Sequence, residues 1–132
     1  MTTSDLPAEG QPTVSTDGTE APFDDVITLS TSTDGDGVVT VTVVGEVDTF
    51  TAPVLRSTLD SQLEQQPREL VIDLSGVQFL GSAGLAVLVE TQKSSRSREV
   101  GLRLIATTRA VTRPLEVTGL IDLFTIADST AR

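Results

Sequence analysis

Short apolar runs alternate along this chain with segments whose apolar residues recur at helical spacing, and this alternation limits the possible folds. The runs rich in β-branched and apolar residues cover 38–44, 70–74 and 102–106. Between the first two runs, Leu55, Leu59 and Leu63 recur every fourth residue, which predicts one apolar stripe of a helix. Strands that alternate with helices in this way predict an α/β fold built on a largely parallel sheet.

The first part of the sheet is predicted to be a hairpin. A strand is expected to begin near Val26, and the Asp-Gly-Asp-Gly sequence at 34–37 lies between it and the run 38–44. Gly and Asp between two β-rich runs predict a tight turn. A helix is then predicted to open with Thr51 as its cap and a proline in its first turn, and to end before Pro67.

The middle of the chain is predicted to hold the central strand and the second helix. The run 70–74 is almost wholly apolar, which suits a strand buried on both faces. Residues 75–81 are predicted to form a loop. The second helix is expected to run from Ser82 to about Ser95, with Ser82 as a candidate N-cap because serine is a preferred residue there.

The last third of the chain is predicted to add a strand at 102–106, a helix and a final short strand at 124–126. Thr107 or Thr108 is the expected cap of that helix, and Gly119 is expected just past its end. The predicted order is therefore β-β-α-β-α-β-α-β. It indicates a single mixed sheet, with a parallel core and an antiparallel N-terminal hairpin, packed against helices.

Charge divides the chain into two predicted regions. Six of the 19 acidic residues lie in residues 1–25, which contain no Lys or Arg. The other 13 acids accompany all nine bases, so the rest of the chain is only mildly acidic. Residues 1–24 are also rich in Thr, Ser, Pro and Gly, and we expect them to form a disordered acidic tail ahead of one domain at 25–132.

The composition argues against several classes of function. The acidic balance disfavours nucleic acid, whose phosphates require clustered Lys and Arg, and no apolar run reaches the roughly 20 residues of a membrane span. The chain has no His, Cys, Tyr or Trp, and no Gly-rich phosphate-binding loop appears. We therefore expect a cytoplasmic, non-enzymatic protein without a cofactor or metal site.

The predicted topology locates a functional edge. Right-handed crossovers make the strands around each helix parallel, so the segments after these strands emerge together at the carboxyl edge, where α/β proteins usually meet ligands. Asp48, Ser82 and Thr107-Thr108 are expected to share that rim. Helix N-termini there favour an added negative charge, so a phosphorylated Ser82 would make an electrostatic switch.

Two stretches of the sequence resemble the signature motifs of STAS domains. The first is Gly-Glu-Val-Asp at 45–48 followed by Thr-Ala-Pro-Val-Leu-Arg at 51–56, and the second covers 73–85. Gly119-Leu120 near the end of the third helix fits as well. The resemblance covers roughly residues 26–128. It implies an anti-sigma factor antagonist, which binds an anti-sigma factor that is commonly also a serine kinase. Phosphorylation by that kinase breaks the complex, and a phosphatase restores it.

The resemblance also implies a partner-binding surface on the rim. We predict that it comprises Glu46, Asp48, Thr49, Ser82, Ala83, Gly84 and Leu85. Family members usually read Asp-Ser-Ser-Gly or Asp-Ser-Thr-Gly at the second helix, whereas this chain reads Gly-Ser-Ala-Gly at 81–84. Ala83 stands at the acceptor position and has no hydroxyl group.

Several alternatives follow from that departure. Ser82 either caps the helix only, or caps the helix and is also phosphorylated. If Ser82 is not phosphorylated, either the protein is a permanently unphosphorylated antagonist or its partner is not a kinase. Asp48 contacts the partner or only opens the first helix. A STAS adaptor subunit of an ABC-type lipid transporter is the alternative function. Many relatives add a final helix, which residues 128–132 are too short to form.

Overall fold

A computed structural model of the chain describes residues 27–127, so the predicted acidic tail and the C-terminal residues 128–132 lie outside the described part. The strands are β1 (Ile27–Thr33), β2 (Val38–Val47), β3 (Glu69–Leu80), β4 (Gly101–Ile105) and β5 (Thr125–Ala127). The helices are α1 (Ala52–Glu64), α2 (Ser82–Ser97) and α3 (Arg109–Val117), and a 3₁₀ turn, not predicted, covers Ile121–Leu123.

The strands form one five-stranded sheet in the order β1-β2-β3-β4-β5. The pair β1–β2 is antiparallel and the other three pairs are parallel. The predicted α/β class, the mixed sheet and the N-terminal hairpin are therefore confirmed. In the hairpin turn, the Oδ1 atom of Asp34 accepts hydrogen bonds from the backbone N–H groups of Asp36 at 2.8 Å and Val38 at 3.1 Å.

The core lies between the sheet and the helices. The predicted leucine stripe of α1 is wholly buried, and it joins a cluster with alternate valines of β2 and with apolar residues of β3, α2, β4 and α3. Burial of one such side chain stabilises the fold by about 1.5–3 kcal/mol. The residues of β2 and β3 that belong to this cluster are Val39, Val41, Val43, Val47, Leu70, Ile72, Leu74, Val77 and Leu80.

The central strand is longer than predicted, and the prediction of a loop at 75–81 is wrong. β3 continues to Leu80 because its second half pairs with the end of β2, from Val44↔Gly76 to Val47↔Leu80. The pairing contains two register shifts, and at each of them β3 holds one residue more than β2. Such bulges bend a strand and interrupt its apolar alternation, so the pattern of Ser75-Gly76 and Gln78-Phe79 resembles that of a loop.

The helix starts also differ from the predictions, whereas one helix end is confirmed. Thr51 and Thr108 occupy the N-cap positions of α1 and α3, but neither side chain makes a capping hydrogen bond. At the end of α3, Gly119 has φ +76° and its N–H group bonds the carbonyl of Glu116 at 3.1 Å. The N–H group of Leu120 bonds the Leu115 carbonyl at 2.9 Å, which completes a Schellman motif.

Candidate functional site

The two motifs of the sequence meet where β2 and β3 end. Val47 and Leu80 are register partners, and the N–H group of Gly81 donates to the carbonyl of Val47 at 2.9 Å. Asp48 and the first turn of α2 therefore leave the sheet side by side. We call this surface, formed by residues 46–50 and 79–85, the rim.

Thr107 and Thr108 do not share the rim, contrary to the prediction. β4 ends at Ile105, whose register partner is Asp73, and β3 continues for seven residues beyond that point. At about 3.3 Å per residue, the end of β4 falls roughly 20 Å short of the end of β3 along the strand. Asp73 makes a local turn instead, since its Oδ1 atom accepts from the N–H and Oγ groups of Ser75 at 3.0 and 2.7 Å.

Asp48 organises the turn that leads into α1. Its Oδ1 atom accepts hydrogen bonds from the backbone N–H groups of Phe50 at 2.9 Å and Thr51 at 3.0 Å. The buried hydroxyl of Thr51 accepts from the Asp48 N–H group at 2.9 Å and donates to the Glu46 carbonyl at 2.8 Å. The Asp48 carboxylate therefore fixes the turn ahead of α1, and α1 itself has no side-chain cap. Within the described residues its Oδ2 atom makes no hydrogen bond, and it remains available to a binding partner.

Glu46 and Thr49 lie on either side of that turn. Glu46 is half-buried and pairs with Phe79 in the strand register, while Thr49 is exposed. No side-chain hydrogen bond of either residue is found within 27–127. Both side chains therefore remain at the surface without a defined internal role.

Ser82 is the first residue of α2 and is exposed. The N-cap is Gly81, which has an extended conformation and contributes no side chain. The hydroxyl of Ser82 makes no hydrogen bond within the described residues, so the predicted capping role is wrong. An exposed, uncommitted hydroxyl at a helix N-terminus is a chemically accessible group, and the positive end of the helix favours an anion there.

Gly84 fixes how closely α2 approaches the sheet. A Cβ atom at this position would lie 2.6 Å from Cγ1 of Val47 and 2.7 Å from Cδ1 of Leu80. Its neighbour Leu85 is buried in the core, and Ala83 packs half-buried against it. The predicted site residues 83–85 therefore lie where α2 packs against the sheet, and we call this contact the seat of α2. Ser82 is their exposed neighbour.

A groove between α1 and α2, open to solvent, continues from the rim and was not predicted. An ion pair between Arg56 and Glu90 joins the two helices at 3.1 Å, with side chains about half exposed. The helical spacing of Arg56, Asp60 and Glu64 was visible in the sequence, but their position opposite α2 was not. The lining residues are Thr49, Ala52, Pro53, Arg56, Ser57, Asp60, Ser61, Glu64, Ala83 and Ala86.

Two negative findings apply to residues 27–127. They contain no group of three or more acidic, His or Cys side chains arranged to hold a metal ion. Within the same residues, no helix is long and apolar enough to span a membrane.

The fold and the two motifs that meet at the rim define a STAS domain. The family model of the STAS domain matches residues 30–132, and the chain belongs to this family. The anti-sigma-F factor antagonist RsfB of Mycobacterium tuberculosis is 37% identical over 101 residues, which cover 76% of this chain and 80% of RsfB. The anti-sigma-B factor antagonist of Listeria monocytogenes is 37% identical over 64% of this chain and 74% of its own length.

A solved structure supports the same grouping. The crystal structure of an anti-sigma factor antagonist from Mycobacterium paratuberculosis superposes with a TM-score of 0.75 at 40% identity. The match covers 83% of this chain and 91% of that chain. The resemblance stated from the sequence motifs is confirmed.

Proposed function

We propose that this protein is an anti-sigma factor antagonist. It binds an anti-sigma factor and so frees a sigma factor to direct transcription. The observation that carries the proposal is the joining of the two STAS motifs into one rim by the Gly81–Val47 hydrogen bond. The relatives described above are named as anti-sigma factor antagonists, which favours this function over the lipid-transporter adaptor.

The proposed contact surface comprises Glu46, Asp48, Thr49 and residues 82–85. Its support is local geometry: the turn at Asp48 is held by four hydrogen bonds, and the seat of α2 is tightly packed at Gly84. A surface held in one conformation loses little entropy on binding. The protein acts by binding and not by catalysis, and its function requires a cytoplasmic location because sigma factors work with RNA polymerase there.

A reconstituted transcription assay tests the function. Core RNA polymerase, one sigma factor and its cognate anti-sigma factor from the same organism are combined, and transcript is measured as the chain is added. We expect the chain to restore transcription and to bind the anti-sigma factor in calorimetry. No restoration with any sigma/anti-sigma pair of that organism would refute the proposal.

Asp48→Asn tests the proposed contact surface. The asparagine Oδ1 atom can still accept the N–H groups of Phe50 and Thr51, so the turn is retained while the charge is lost. We expect the Kd for the anti-sigma factor to rise roughly tenfold, equivalent to about 1.4 kcal/mol, because the variant loses a charge that faces the partner. The matched control is Asp122→Asn, which removes an exposed acid from the 3₁₀ turn. Equal effects of the two substitutions would show that Asp48 is not part of the contact surface.

For regulation, we propose that Ser82 replaces the missing acceptor at Ala83. The exposed hydroxyl at the first residue of α2 supports this proposal, and a phosphate there would add about −1.5 to −2 charges close to Glu46 and Asp48. We expect Ser82→Asp to weaken binding of the anti-sigma factor much more than Ser82→Ala. Equal binding by the two variants would refute the switch. The alternatives would then be a permanently unphosphorylated antagonist or a partner that is not a kinase.

A further inference from the structure

Two aromatic rings are exposed at the rim. The chain has four Phe and no Trp or Tyr. Phe50 is 78% exposed and Phe79 is 50% exposed, whereas Phe124, the other ring within the described residues, is buried. Both exposed rings therefore lie on the surface formed by the two motifs, where Phe50 follows Asp48 and Phe79 precedes the start of α2.

A strand irregularity turns Phe79 outward. Gly45 pairs with Val77 but the next residue, Glu46, pairs with Phe79, so Gln78 is an extra residue in β3. Simple alternation from the buried Val77 would place residue 79 in the core and residue 80 at the surface. The bulge reverses this, since Leu80 is 4% exposed and the ring of Phe79 is at the surface. The exposure of Phe79 is thus built into the pairing of β2 and β3.

Both rings are attached to backbone that is already ordered. The N–H group of Phe50 is hydrogen-bonded to Asp48 in the turn before α1. The ring of Phe79 lies against the backbone at Gly81, where a Cβ atom would come within 3.0 Å of its Cε2 atom. Aromatic side chains have only two χ angles, so such rings provide contact area at low entropic cost.

The surroundings of the rings are acidic. Residues 44–55 and 75–86 contain Glu46 and Asp48 but no Lys or Arg. The first base beyond them, Arg56, is paired with Glu90 across the groove. A second copy of the chain would bring like charges together, whereas a partner surface bearing Lys or Arg would be complementary.

We propose that Phe50 and Phe79 are the anchors of the partner interface, inserted into apolar pockets of a protein surface that is bordered by Lys and Arg. This inference rests on the proposed function, since the partner is the anti-sigma factor. Binding energy in protein interfaces is concentrated in a few desolvated aromatic or arginine side chains. The acids at 46 and 48 then select the basic border, and the rings provide most of the affinity.

A binding titration tests the proposal. The partner is the purified anti-sigma factor whose inhibition the chain relieves in the transcription assay, and the measured quantity is its Kd for each variant of the chain. We expect Phe50→Ala and Phe79→Ala each to raise Kd at least about tenfold. Val117→Ala is the matched control, because Val117 is 71% exposed on α3, away from the rim. The Kd of this variant for the anti-sigma factor should differ from the wild-type value by less than about twofold. Phe79→Leu provides a second variant at 79 if the alanine substitution disturbs β3.

A fluorescence measurement reports the burial of the ring directly. Because the chain has no Trp, Phe50→Trp introduces its sole indole, and the emission should shift to shorter wavelength when the anti-sigma factor binds. Val117→Trp should show no shift.

The outcomes separate this inference from the function beneath it. If the wild-type chain binds and both alanine variants bind equally well, the anchors are refuted and the function stands. If the wild-type chain does not relieve inhibition by any anti-sigma factor, the anchor proposal and the proposed function are both refuted. If sedimentation shows a dimer of the chain that Phe50→Ala dissociates, the rings serve self-association and the anchor proposal is refuted.

Discussion

Replacing Gly84 with alanine should destabilise the protein, although alanine is the better helix former. Gly84 lies in the first turn of α2, where the alanine methyl group would be 2.6 Å from Val47 and 2.7 Å from Leu80. Both contacts are with buried side chains that cannot rotate into solvent. The first turn of α2 must therefore move outward by about 1 Å to restore the usual carbon–carbon separation of roughly 3.5–4 Å.

The magnitude follows from two opposing effects. Overpacking in a well-packed core typically costs about 1–3 kcal/mol, and two contacts this short call for the upper half of that range. Alanine in place of glycine within a helix contributes about 1 kcal/mol in the other direction. We expect the free energy of unfolding to fall by about 1–2 kcal/mol, which corresponds to a decrease in Tm of roughly 5–15 °C.

Urea denaturation followed by far-UV circular dichroism measures this change, because the chain has no tryptophan to report unfolding. Gly101→Ala is the control, since its added methyl group would meet only ordinary contacts, the nearest at 3.5 Å from Cγ of Glu69. An unchanged or higher stability of Gly84→Ala would refute the argument that the helix seat requires glycine.

Two further predictions concern the rim and the groove. Thr51→Val retains the shape of the side chain but removes the hydroxyl bonded to Glu46 and Asp48, and should lower the free energy of unfolding by about 1–3 kcal/mol. Thr51→Ser keeps the hydroxyl and should retain most of the wild-type stability. Equal losses of stability in the two variants would contradict the role given to the hydroxyl. A double-mutant cycle on Arg56 and Glu90 should give a coupling energy below about 1 kcal/mol that falls further in high salt, because both side chains are about half exposed. A larger, salt-independent coupling would contradict this.

The elements that the sequence predicted correctly are those that carry a regular apolar period. The leucine stripe of α1 and the valines of β2 each follow one period, and the run 70–74 is continuously apolar. In each case the burial of these side chains decides the structure. The second half of β3 was missed because two bulges break the alternation, and because its pairing with β2 is non-local information. A single sequence contains no sign that the chain at Ser75-Gly76 continues a strand, in which Gly76 pairs with Val44, and does not form a loop.

The site was predicted in outline but not in its hydrogen bonds. Asp48 and Ser82 were located from topology, since both follow parallel strands. The predicted caps were wrong: the Thr51 side chain makes no capping hydrogen bond, and Gly81 takes the N-cap position expected for Ser82. Several polar residues lie close together at each helix start, and which of them bonds the free N–H groups depends on backbone angles that composition does not determine.

The main-chain bond between Gly81 and Val47 has a consequence for how such proteins diversify. The hydrogen bond that joins the two motifs is made by backbone atoms, so the bond itself involves no side chain. Side chains beside it can be exchanged in the course of evolution while the docking frame is inherited unchanged. A lineage can therefore change the residues at 81 and 83 without separating the two motifs from each other.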